Sequence, residues 1–177
     1  MDQMSVGETR LELTLGDITL QETDAVVNAA NKRLAPGGGV AGAIHRAAGP
    51  ELWEECRQRE GCRTGEAKIT QGYHLPAAYV IQTVGPVYSG SHRDAELLKE
   101  CYRNSLQLAR EYSLKSISFP ALSTGAFGYP LEEAARVALS TVIDWLEHND
   151  GLELVRFVLY DQASYDVHRD VLQSLKR

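Results

Sequence analysis

The sequence holds one stretch whose residue types and spacing suit the binding of an anion. An apolar run, Ala25-Val26-Val27, stops at Asn28 and Asn31, and then Pro36 and three consecutive glycines, Gly37-Gly38-Gly39, interrupt any regular element. Glycine has no Cβ, so the N–H groups of such a run can approach a ligand closely. From Val40 onward, small and apolar residues recur at helical spacing (Val40, Ile44, Ala47, Ala48), which starts a helix directly after the glycines. Its N-terminal N–H groups and its dipole then point at the same place. The chemistry implied is a phosphate or pyrophosphate site. The string is not a P-loop, because no Lys-Ser/Thr follows the glycines at the required spacing. Nor is it a dinucleotide fingerprint, because eight residues separate Asn28 from the first glycine. Taken alone, a triple glycine also reads as a surface turn.

A second segment repeats the order. The strand-like run 116–120 is followed by Ala121-Leu122-Ser123-Thr124-Gly125-Ala126-Phe127-Gly128-Tyr129-Pro130, a loop of small residues with two hydroxyls and two aromatics that feeds a helix. Two such turns could clamp a diphosphate from both sides if they lie at the carboxyl ends of neighbouring strands, where α/β sheets bind ligands. Phe127 and Tyr129 read either as anchors of the loop or as a stacking surface for a sugar or base. Asp17, at the end of the first strand-like run, is either a turn or N-cap residue or an acceptor for an exocyclic amine such as adenine N6.

Elements alternate along the chain. Strands are expected over 10–15, 25–27, 66–71, 78–84, 116–120 and 154–160. Helices are expected from Val40, then over 51–60, 95–112, 131–147 and 164–176. This is the α/β class, a three-layer α/β/α sandwich around a mixed central sheet of about six strands. A short leader over residues 1–9, with Met4 as an alternative start, and one domain over 10–177 complete the organisation.

Composition sets limits. The chain has 177 residues, is 44% hydrophobic, and carries a net charge of −6. No apolar run approaches the length of a membrane span, and the N-terminus lacks the basic and apolar regions of a secretory signal. Three scattered cysteines point to a reducing, cytoplasmic compartment. The five histidines show no zinc spacing, and the chemistry read here needs no metal or organic cofactor. The acidic balance and the absence of a Lys/Arg block weigh against a nucleic-acid partner.

With these segments in view, the chain resembles a macrodomain, and within that family the MacroD-type branch. The carrying motifs are Gly16-Asp17-Ile18-Thr19, Val27-Asn28-Ala29-Ala30-Asn31, Gly37-Gly38-Gly39-Val40, Gly42 through Pro50, Thr83-Val84-Gly85-Pro86, and Phe119 through Pro130. The resemblance implies removal of ADP-ribose from modified Asp/Glu side chains and deacetylation of O-acetyl-ADP-ribose. The partners would be ADP-ribose, O-acetyl-ADP-ribose and mono-ADP-ribosylated proteins. It further implies that Asp17 and the Ile18 backbone receive the adenine and that Tyr160 stacks on it. Gly38, Gly39, Val40 and the loop Ser123-Thr124-Gly125-Ala126-Phe127 would bind the diphosphate through N–H groups, with Phe127 also against the distal ribose. Asn31 would hold that ribose, and Asn28 would secure the loop.

One position departs from the branch. The family pattern Gly-Gly-Gly-Val-Asp-Gly has Ala41 in place of its aspartate, the residue that positions or activates the attacking water. His45, one helical turn on, loses the carboxylate neighbour it has in the pattern. The resemblance therefore assigns the catalytic positions to Asn31, Ala41 and His45 and expects reduced activity. His45 reads alternatively as a packed helix residue. Ala41 is either native to a non-catalytic reader of ADP-ribose or a replacement of the family aspartate.

Overall fold

The structure, a computed structural model, describes residues 2–176. Its centre is a seven-stranded sheet in the order β1-β2-β7-β6-β3-β5-β4. The strands are β1 Gln3–Val6, β2 Thr9–Leu15, β3 Ala25–Ala29, β4 Ala67–Gln71, β5 Tyr79–Thr83, β6 Ser116–Phe119 and β7 Leu154–Leu159. The five central strands run parallel, and the two edge strands, β1 and β4, run antiparallel to their neighbours. Helices α1 Gly39–Ala48 and α2 Pro50–Cys56 cover one face. Helices α3 Arg93–Glu111, α4 Leu131–His148 and α5 Gln162–Leu175 cover the other. The α/β/α sandwich read from the sequence is the observed fold.

The strand interiors are apolar because both faces are covered. Their side chains alternate between the two layers. Ala25 and Val27 join the core under α3–α5, whereas Val26 joins the core under α1 and α2. The larger core is centred on Phe119, stacked on Phe157 at 5.5 Å and touching Tyr102 at 5.0 Å. The smaller core, built on Val80, Val158, Ile44 and Leu52, carries the first glycine loop on its rim.

Two expectations are corrected. The sheet has seven strands rather than about six, because Gln3–Val6, inside the expected leader, pairs with β2 from Gln3↔Glu12 to Val6↔Thr9. Val6 is buried, so this segment is part of the folded body. Four residues carry too little alternation to mark a strand in the sequence. Met1 and Arg177 lie outside the described residues. The second correction is α2, expected over 51–60, which ends at Cys56. Its buried residues are Leu52 and Cys56, and beyond them Glu60 and Gly61 take positive φ of 59° and 80°, turning the chain back toward the sheet.

Candidate functional site

All five parallel strands end on one edge of the sheet, and the loops that follow them meet there. The loop after β3 leads through α1, α2 and β4 to β5, and the loop after β6 leads through α4 to β7 on the other side. The two connections diverge from adjacent strands, which opens a crevice between them. The two small-residue loops form its walls, as neighbouring-strand placement required.

The first wall is held by its own side chains. Asn28 at the end of β3 donates from Nδ2 to Gln82 Oε1 at 2.8 Å, tying β3 to β5. This bond joins two strands rather than holding the loop, and the buried Oδ1 has no partner among the described residues. Asn31 Oδ1 accepts from the Arg33 and Ala35 N–H groups at 3.1 and 2.9 Å, and its Nδ2 donates to the Ala35 carbonyl at 2.8 Å. One Nδ2 hydrogen remains for a ligand. Leu34, fully buried with φ of 58°, pins the loop beneath, and the Lys32 carbonyl accepts from the Cys62 N–H at 2.8 Å. A Cβ on Gly37 would stand 3.5 Å from Asn31 Nδ2, so the amide lies directly beside the glycines.

The glycine run then enters α1, whose first bond is Gly42 N–H to the Gly38 carbonyl at 3.1 Å. Among the described residues no side chain caps this helix, and its first turn holds no acidic residue. The N–H groups of Gly39, Val40 and Ala41 therefore face the crevice edge without intrahelical partners. Gly42 is required for packing: a Cβ there would run into the Gly37 carbonyl oxygen.

Ala41 and His45 follow on the buried face of α1, 5% and 7% exposed. Neither ring nitrogen of His45 has a hydrogen-bond partner among the described residues. Burial lowers its pKa from the ordinary 6.5, so the ring is held neutral. This ring stands one helical turn from an alanine that offers it nothing.

The second wall, after β6, is fixed from both ends. The Tyr129 N–H donates to the Ser123 carbonyl at 2.9 Å, and Thr124 Oγ1 donates to the Ala121 carbonyl at 2.8 Å. Tyr129 is buried and its ring meets Tyr88 at 5.0 Å, so of the two aromatics it is the anchor. Phe127 is half-buried and lines the cleft. Gly125 and Ala126 are exposed, and among the described residues nothing accepts from the Gly125, Ala126 or Phe127 N–H groups. Ser123 takes φ of 67° and buries an unpartnered Oγ against Gly85, where a Cβ would collide with it.

The far corner belongs to β2 and β7, which are neighbours. Asp17 Oδ1 accepts from both the N–H and the hydroxyl of Thr19, at 2.9 and 2.7 Å, capping the short 3-10 helix Ile18–Leu20. The cap role leaves Oδ2 without a partner among the described residues. Ile18 is buried, and Tyr160 is 88% exposed just past β7. The Gly16 N–H donates to the Leu159 carbonyl at 2.9 Å and draws the two strand ends together.

The crevice runs from this corner, between the glycine loop and the Ser123–Phe127 loop, to a cleft of about 460 Å³ at the other end. Asn31 and Phe127 stand at that end with Lys32, Thr64, Val87 and Leu97. The last four were not singled out from the sequence. The signal available was Thr83-Val84-Gly85-Pro86, a motif whose position at the end of β5 becomes meaningful only when β5 is seen beside β3.

The class of domain is an α/β/α sandwich whose two small-residue loops face each other where the strand order diverges. The Macro domain family model matches residues 27–138, and the chain belongs to the macrodomain family. A macro domain-containing protein of Chlorobaculum tepidum is 55% identical over 157 residues, covering 88% of this chain and 91% of that protein. The ADP-ribose glycohydrolase MACROD1 of Bos taurus is 49% identical over 166 residues, covering 92% of this chain and 51% of that longer enzyme. The Oceanobacillus iheyensis macrodomain, solved with ADP, superposes with a TM-score of 0.95 at 44% identity, covering 98% of this chain and 95% of that one.

Proposed function

We propose that this protein binds ADP-ribose and is built as a hydrolase of the ester that joins ADP-ribose to a modified Asp or Glu side chain, with turnover weakened by Ala41. The observation that carries this reading is the pair of loops, each with unpartnered N–H groups, on adjacent strands β3 and β6. They bind the diphosphate through Gly38, Gly39, Val40 and the residues Ser123 to Phe127. Asp17 accepts from the adenine amine through Oδ2, Ile18 presents its backbone beside it, and Tyr160 stacks on the base. Asn31 and Phe127 hold the distal ribose at the opposite end. The glycohydrolase name of a 49% identical relative supports the reaction class.

In the reaction, a water beside the distal ribose attacks the anomeric carbon or the carbonyl of the ester. Attack at the anomeric carbon breaks the ribose C–O bond, leaving the water's hydroxyl on the ribose and its proton with the departing carboxylate; attack at the carbonyl breaks the acyl C–O bond, leaving the hydroxyl on the acid and the proton on the ribose oxygen. O-acetyl-ADP-ribose carries an ester of the same ribose and is a second substrate by the same chemistry. Ala41 cannot accept a proton or orient water, and loss of general-base help costs about 10²–10⁴-fold. His45, neutral and without a partner among the described residues, keeps a polar group on that face. The three free cysteines, all buried, suit a cytoplasmic setting.

The buried, chemically inert Ala41 also favours a second reading, a reader that holds ADP-ribose without cleaving it. One experiment separates the two. Hydrolysis of a glutamate-ADP-ribosylated protein is measured for this chain and for Ala41→Asp, with ADP-ribose binding followed by calorimetry. The hydrolase reading expects a gain of about tenfold or more with binding retained. Unchanged turnover with intact binding leaves the reader.

A further inference from the structure

Beside the cleft at the Asn31 end lies a second depression of about 420 Å³, lined by Lys32, Arg33, Trp53, Arg57, Glu60 and Gly61. Lys32 borders both spaces, and its backbone is fixed by the bond from the Cys62 N–H. Among the described residues, no carboxylate pairs with Lys32 or Arg33. Arg57 pairs only with Glu54, at 2.8 Å, where both side chains are more than half exposed. Among the described residues, Glu60 is the one carboxylate lining the depression. In a chain of net charge −6 this is a local reversal of sign, and it lies next to the residue read as holding the distal ribose.

We infer that this ledge docks an acidic segment of the modified protein, namely the residues flanking the ADP-ribosylated carboxylate. The inference rests on the proposed ADP-ribose reading, which makes the Asn31–Phe127 end the exit of the modified side chain. A chain modified on Asp or Glu leaves the site there and meets Lys32 first. Arg33 and Arg57 then offer flexible cations to neighbouring carboxylates, and half-buried Trp53 supplies an apolar floor. A single-stranded nucleic acid would need successive aromatic platforms along a basic groove. Here, among the described residues lining the depression, one indole stands alone.

Two peptides carrying one ADP-ribose on a non-hydrolysable glutamate isostere test this, one with Asp/Glu flanks and one with Asn/Gln flanks. Their affinities for the full chain are compared with those of free ADP-ribose and of a 5′-ADP-ribosylated RNA oligonucleotide. Exposed charge pairs are individually weak and are screened by salt. The acidic peptide is therefore expected to bind several-fold to about tenfold tighter than the neutral one at low salt. The difference should vanish at about 0.5 M salt, and also in the Arg33→Glu/Arg57→Glu chain, with ADP-ribose affinity unchanged. Equal affinity for the two peptides, with ADP-ribose bound normally, overturns the ledge and leaves the ADP-ribose reading standing. RNA binding tighter than the acidic peptide, and lost in the same variant, overturns it in favour of nucleic acid. Failure to bind ADP-ribose at all overturns the underlying reading and the ledge with it. The peptide and salt comparisons need no substitution, so they decide the matter even if the variant misfolds.

Discussion

At the scale of single residues, several side chains serve the fold and the site with different atoms. Asp17 caps the 3-10 helix with Oδ1, and its Oδ2, unpaired among the described residues, is the atom proposed for the ligand. The two roles can be separated. Asp17→Asn keeps a capping oxygen but puts an N–H₂ where the second carboxylate oxygen was, so it should fold normally and bind ADP-ribose about tenfold or more weakly. Asp17→Ala should bind as weakly and also lose about 1 kcal/mol of stability with the cap. Thermal melts and calorimetry on the two variants check this, and equal stability losses in both would count against the division of labour. Asn31 is similar. Three of its hydrogen bonds shape its own loop, so a replacement there changes the glycine run as well as any ribose contact.

At the scale of elements, the two clamp loops depend on strand ends they do not contain. The Ser123 turn, with φ of 67°, is seated against Gly85 at the end of the β5 connection. A side chain at position 85 has no room unless Ser123 moves. Gly85→Ala should therefore displace the second wall while leaving the remote aromatic core of Tyr102, Phe119 and Phe157 in place. The expected result is ADP-ribose binding reduced about tenfold or more, with a cooperative thermal transition preserved. Wild-type affinity in that variant would show that the Ser123–Phe127 loop is not shaped by this contact. Three of the elements behind these loops were legible from periodicity, which located β3, β6 and the start of α1. The end of α2 was not, because its charged continuation over 57–60 is compatible with helix, and only the positive φ at Glu60 and Gly61 turns it.

At the scale of the whole molecule, stability and pH are linked through two buried histidines. His45 is 7% exposed and His168 is 1% exposed, and burial lowers the pKa of each from the ordinary 6.5. The unfolded chain therefore binds more protons than the folded one below about pH 6.5. Their contribution is complete above that pH and is lost as pH falls through the lowered values. The melting temperature should decline between pH 7 and 5, and His168→Gln should flatten that decline; a melting temperature independent of pH would contradict neutral burial. The sequence by itself determined the layer architecture, the order of elements and the two small-residue loops, because periodicity, glycine and asparagine act locally. It also determined that position 41 lacks a carboxylate. Only the tertiary structure decided that β3 and β6 are neighbours, so that loops about ninety residues apart face one crevice. It also decided that Gln3–Val6 closes the sheet edge, that Tyr129 anchors while Phe127 lines the cleft, and that the cations around Lys32 gather beside the distal end. Strand order and loop apposition are set by long-range packing of the two cores, which no local pattern of residues encodes.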